Sequence, residues 1–155
     1  MILKKKILLV CSPYYKNITD NLIKGASEIL KSNSIDYEIL YVPGALEIAP
    51  AIKLILDKTE KKSLFDGFIA LGCVIKGETY HFEIVANESS RAITNLSINN
   101  SIPIGNGILT VLNQNQAVKR SDPSKLNKGA DAALACLSLI KIKDNIKYEW
   151  FQNKN

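Results

Sequence analysis

The chain has 155 residues, 46% of them hydrophobic and 23% charged, with a formal net charge of +5; that balance fits one globular domain over residues 1–155, able to bury a core without disulfide or metal staples. It excludes a disordered chain, and no apolar run reaches the roughly 20 residues of a membrane span. Eighteen of the twenty cations are lysines scattered along the chain, with Arg91 and Arg120 the only arginines, so no basic stripe marks a nucleic-acid surface and solvated lysine is the simpler reading.

The N-terminal stretch MILKKKILLVCSPYY sets a basic patch before an apolar run. The run is too short for a secretion signal, and no small-residue cleavage site follows it. It reads instead as a first strand, Lys6 to Val10, ending at CSPYYKN. Ile18, Leu22, Ile23, Ala26, Ile29 and Leu30 then recur at helical spacing and predict a helix from Ile18 to Ser32. A second strand, YEILYV, ends at PGA; Ile48, Ala49, Ile52, Ile55 and Leu56 mark a second helical face before the polar stretch DKTEKKS. FDGFIALGCVI predicts a third strand ending at KGETY, a helix follows from His81 to Ser97, and IPIGNGILTV predicts a fourth strand. A short helix over Gln114–Lys119 and a long one from Ser124 to Lys143 complete the order.

Strands that alternate with helices, and that are apolar almost throughout, imply a parallel sheet covered on both faces. The predicted fold is α/β: a three-layer sandwich of the flavodoxin-like kind, with a four-stranded parallel sheet flanked by helices. In such sheets ligands bind beyond the carboxyl ends of the strands. The first three strand-to-helix loops are SPYYKN, PGALE and KGETYH, rich in aromatic, acidic and histidine side chains. His81, the only histidine of the chain, falls on that edge. Cys11, Cys73 and Cys136 sit in apolar surroundings, form no C-x-x-C pair and leave one unpaired under any disulfide scheme, which points to a reducing cytoplasm.

Four segments, VPGALEIAPA, ALGCVIKGETYHFEIVANESSRAI, PIGNGILTV and NKGADAA, stand in an order and at a spacing that resemble the lumazine synthase (6,7-dimethyl-8-ribityllumazine synthase) family over essentially the whole chain. The resemblance implies condensation of 5-amino-6-(D-ribitylamino)uracil with 3,4-dihydroxy-2-butanone 4-phosphate, in riboflavin biosynthesis, releasing phosphate and water. It implies no cofactor and no metal, in keeping with a sequence without a metal-ligand cluster or a Walker or Rossmann glycine loop. It also implies a homo-oligomer, a pentamer or a multiple of pentamers, with the active site shared between neighbouring copies. Within the chain, the small-residue helix GADAALACLSLI hints at close packing on a neighbour.

The same resemblance assigns residues. Tyr14 takes the position that stacks on the pyrimidine, although an ordinary exposed loop aromatic would read the same way. Ala45, Leu46 and Glu47 take the segment that holds the ribityl hydroxyls; Glu47 would also suit a helix N-terminus. Cys73, Val74 and Ile75 meet the pyrimidine edge through the main chain. Gly77, Glu78 and Thr79 form the phosphate-side turn, where amides at a helix start suit an anion, with the Glu78 backbone and not its carboxylate facing the ligand. Arg120 is the phosphate-binding arginine and Lys128 a second cation near it. Two positions depart from the commonest pattern of the family. Asn106 stands where many members have phenylalanine, and SPYYKN replaces an arginine, phenylalanine and asparagine, so that Tyr15 competes with Tyr14 for the stacking role.

Every step of such a condensation moves a proton, and an imidazole, with an ordinary pKa near 6.5, gives and takes protons near neutral pH. His81 is therefore the expected catalytic residue. Two rival readings stand beside it: a hydrolase with Cys73 as a nucleophile activated by His81, and a flavin or lumazine carrier without catalysis.

Overall fold

The computed structural model describes residues 4–58 and 64–146. Four strands, β1 (Lys6–Cys11), β2 (Asp36–Tyr41), β3 (Gly67–Ile75) and β4 (Ile104–Val111), form one sheet in the order β2-β1-β3-β4, with every pair parallel. Five α-helices accompany them: α1 (Lys16–Ser32), α2 (Ile48–Lys58), α3 (His81–Asn100), α4 (Gln114–Ser121) and α5 (Lys128–Asn145). A single 3-10 turn, Ala45–Glu47, leads into α2. The polar stretch read between the second helix and the third strand lies largely outside the described residues, at positions 59–63.

The near-continuous apolar strands have the predicted cause. Ile7, Leu9 and Cys11 of β1, with Ile69, Leu71 and Cys73 of β3, face one side and pack with Ile18, Leu22, Ala26 and Leu30 of α1 and Ala132, Ala133, Cys136 and Ile140 of α5. Leu8 and Val10, with Phe68 and Ala70, face the other and pack with Ile48, Ala49 and Ile52 of α2 and Ile93 and Leu96 of α3. Two apolar layers thus sandwich the sheet, and the period of two is hidden because both faces are buried. β2 is an edge and shows it: Asp36 and Glu38 are exposed, and they pair with Lys4 and Lys6.

The long C-terminal helix begins at Lys128 and not at Ser124. Pro123 follows the end of α4, and Asp122 gathers the intervening residues into a turn, its carboxylate accepting from the Ser124 amide at 2.8 Å and its carbonyl from the Lys125 and Asn127 amides. Asn127 then adopts a left-handed conformation at φ 45° and caps the helix, its side chain accepting from the Ala130 amide at 3.3 Å. Gly129, Ala130, Ala132, Ala133 and Cys136 are buried, packed on α1, β3 and β4 of the same chain. The large apolar side chains that α5 presents outward are Leu134, Leu139 and Ile142, with the small Ala135 and Ser138 exposed on the same helix. No helix among the described residues is long and apolar enough to cross a membrane.

Candidate functional site

The strand order reverses between β1 and β3, and at such a switch point the two following loops diverge to opposite faces and open a crevice at the carboxyl edge. A cavity of about 350 Å³ opens there, within the range of small-molecule sites. Its lining brings together Tyr14 from the loop after β1, Ala45, Leu46 and Glu47 from the loop after β2, Cys73, Val74 and Ile75 from the end of β3, Thr79 from the next turn, and His81 from the start of α3. Nine of the thirteen side chains expected at the site therefore converge on one cavity. Gly77 lines it as well.

Each wall has a local reason. Ser12 is tied to β3, its amide donating to the Leu71 carbonyl at 2.9 Å, while the buried Thr19 hydroxyl donates to the Ser12 carbonyl at 2.7 Å. The loop carrying Tyr14 and Tyr15 is thus pinned at its root and at the first turn of α1. At the second loop, a methyl placed on Gly44 would meet Glu47 Oε2 at 2.9 Å, so the carboxylate folds back over a bare α-carbon. At the third, α3 starts at His81, whose amide donates to Thr79 Oγ1 at 3.4 Å. Lys76 Nζ lies 3.7 Å from Glu83 Oε1 across that turn, and Glu83 Oε2 is buried without a hydrogen-bond partner. Nothing lies within 4 Å of a Cβ built on Gly77, so the turn opens onto free space.

Four expected residues stand elsewhere. Glu78 is exposed on the turn but does not line the cavity. Asn106 and Lys128 line a separate cleft between β4 and α5, with Asp131 accepting from Lys128 Nζ at 2.7 Å. Arg120 is half-buried at the end of α4, its guanidinium donating to the Gln116 carbonyl at 3.3 Å. The histidine side and the arginine side of the expected site are therefore separate surfaces of one chain.

Ser12, Gly44, Phe82 and Val85 also line the cavity without having been singled out. Phe82 and Val85 carry a readable signal, since Val85 lies one helical turn beyond His81. Burial pushes the Cys73 thiol up to about 12. A thiol in that state supplies almost no thiolate near neutral pH, which counts against the hydrolase reading. Among the described residues no group of three or more His, Cys, Asp or Glu could hold a metal ion.

Comparison with known proteins converges on the same reading. The family model described as 6,7-dimethyl-8-ribityllumazine synthase matches residues 4–144. A protein of that name from Agrobacterium fabrum is 46% identical over 92% of this chain and 97% of its own length. Another from Bartonella bacilliformis is 47% identical over 88% of this chain and 89% of its own, and one from Erythrobacter litoralis is 46% identical over 90% and 96%. With a match across all four strands and all five helices, and a cavity built from the segments that carry it, the chain belongs to the 6,7-dimethyl-8-ribityllumazine synthase family.

Proposed function

We propose that the chain, acting as one unit, condenses 5-amino-6-(D-ribitylamino)uracil with 3,4-dihydroxy-2-butanone 4-phosphate to give 6,7-dimethyl-8-ribityllumazine, phosphate and water. The observation that carries this reading is the single cavity joining an aromatic ring, a polar loop, a strand end and the only histidine. Tyr14 offers a face for the pyrimidine, and the main chain of Cys73–Ile75 offers its edge donors and acceptors. The Ala45–Glu47 turn suits a row of ribityl hydroxyls. Gly77 and Thr79 leave room for the phosphate beside the start of α3.

In the reaction the pyrimidine's 5-amine attacks the ketone and loses water to a Schiff base. Loss of a carbon-bound proton expels phosphate and leaves an enol, which becomes a second carbonyl; the ribityl-bearing nitrogen closes on it, and a further water leaves. His81 is the group to take and return these protons at the mouth of the cavity. Holding two mutually reactive substrates together supplies a separate part of the acceleration.

Arg120 and Lys128 complete the phosphate side from a neighbouring copy, in a pentameric ring or a multiple of it. Two facts support this: within one chain both lie away from the cavity, and apolar side chains stand outward on α3 and α5, Ile98 at 70% and Leu134 at 50% exposure among them. The three cysteines, all free and buried, suit a reducing cytoplasm.

The test is direct. Both substrates are mixed with the purified protein, and lumazine absorbance is followed together with released phosphate. One phosphate per lumazine supports the synthase. Binding of either substrate without turnover makes the protein a carrier.

A further inference from the structure

We propose that Tyr15 is a positioning residue, one that holds the Tyr14 ring in the orientation needed to stack on the planar pyrimidine; the proposal rests on the synthase reading above. The two rings meet edge to face, with centroids 5.0 Å apart and planes at 71°. Their surroundings differ. Tyr14 is 74% exposed, so the chain itself gives its ring little else to lean on. Tyr15 is half-buried and packs against the core layer that contains Cys11, Ile18 and Cys73, while also lining the cavity.

The Tyr15 backbone is fixed as well. It precedes α1, its carbonyl accepts from the Thr19 amide at 3.0 Å, and Thr19 in turn holds Ser12. Tyr15 thus carries the rigidity of the core to a ring that would otherwise sample several rotamers. An exposed ring must surrender that freedom on binding, and one already held surrenders less. Burial, then the neighbouring Tyr14 and Cys73, raise the Tyr15 phenol above its ordinary value, so it stays neutral through the working range and the contact is ring against ring. This arrangement belongs to the SPYYKN loop, where two tyrosines stand together.

The experiment compares the wild type with Tyr15→Phe, Tyr15→Leu, Tyr14→Leu and the Tyr14→Leu/Tyr15→Leu double variant. Calorimetry measures affinity for the ribitylaminouracil alone, and steady-state kinetics give KM for each substrate. Tyr15→Phe keeps the edge contact and should stay within about twofold of the wild type. Tyr15→Leu removes it and should weaken pyrimidine affinity by about threefold to tenfold, with kcat and the KM for the butanone phosphate unchanged. In the Tyr14→Leu background the same change should have no further effect, because the residue acts through Tyr14.

Unaltered affinity in a folded Tyr15→Leu protein overturns the proposal. So does a full effect that persists without Tyr14, which would make Tyr15 the stacking ring itself, and so does an equal loss in Tyr15→Phe. Tyr15→Met, whose unbranched chain adapts to an irregular gap, gives the same readout if the leucine variant does not fold. Wild-type protein that binds the pyrimidine but makes no lumazine defeats the synthase reading alone, since the affinity series still judges Tyr15.

Discussion

His81 is exposed at the mouth of the cavity and tied to the turn through its own amide, a placement that leaves the imidazole free to move protons without carrying the fold. His81→Ala should therefore keep the melting temperature and lower kcat by about 10² to 10⁴, without abolishing turnover; unchanged stopped-flow turnover in the folded variant would remove it from the mechanism. Arg120→Ala should raise the KM for the butanone phosphate by about tenfold or more and leave that for the pyrimidine nearly unchanged, because in the proposed site the guanidinium faces the phosphate and not the pyrimidine. Equal effects on both substrates would count against that role. Cys11, Cys73 and Cys136 are each pushed by burial from 9.0 to about 12. Their folded values are raised, so their contribution to stability is complete below about pH 9 and declines as pH rises toward 12. Chemical denaturation between pH 8 and 11 should show that decline, and it should shrink in a Cys11→Ala/Cys136→Ala variant. The placement of single residues was legible where they fall in a strand-to-helix loop, as with His81 at the cavity. It was not legible for Ser12 or Gly44, whose roles come from what folds back over them.

The helices were readable because each presents a repeating apolar face to one of two layers, and the central strands because they are apolar toward both. The start of α5 was not, since it rests on Asn127 in a left-handed conformation and on a turn gathered by Asp122, features without periodicity. Ser124 has the composition of a helix cap, yet the chain spends it on Asp122. The same helix end holds a close approach between elements: a methyl on Gly129 would meet the Leu22 carbonyl oxygen of α1 at 2.1 Å. Backbone cannot yield as a flexible side chain does, so Gly129→Ala should lower stability by about 2 kcal/mol or more. Gly77→Ala, where a methyl meets open space, should stay within about 0.5 kcal/mol of the wild type. Thermal unfolding of both checks the contrast, and a stable Gly129→Ala protein would show that α1 and α5 separate easily.

Across the whole molecule, sequence alone led to the carboxyl edge of the sheet, since loop order follows strand order. That the arginine and histidine sides stand on separate surfaces of a chain was implied by the family resemblance and not by periodicity or loop order, because it depends on how β4, α4 and α5 wrap the far end of the sheet. Mixed assemblies test the consequence. His81→Ala and Arg120→Ala proteins, dissociated and reassembled together at equal amounts, should pair an intact histidine side with an intact arginine side at about a quarter of the interfaces of a head-to-tail ring. Activity should rise above either parent; mixed rings confirmed by native mass spectrometry, with activity at the parental average, would make the shared site wrong. The strand order also sets a timetable for synthesis. β1 is made first, but Ile7 must wait for Gly67, sixty positions later, before its second flank is paired, an interval of roughly 3 to 12 s at ribosomal speed. The Ser12 amide finds its acceptor on Leu71 of that same late strand, so the aromatic loop has no fixed shape on the nascent chain, and the binding cavity comes into being only when the sheet's third strand docks.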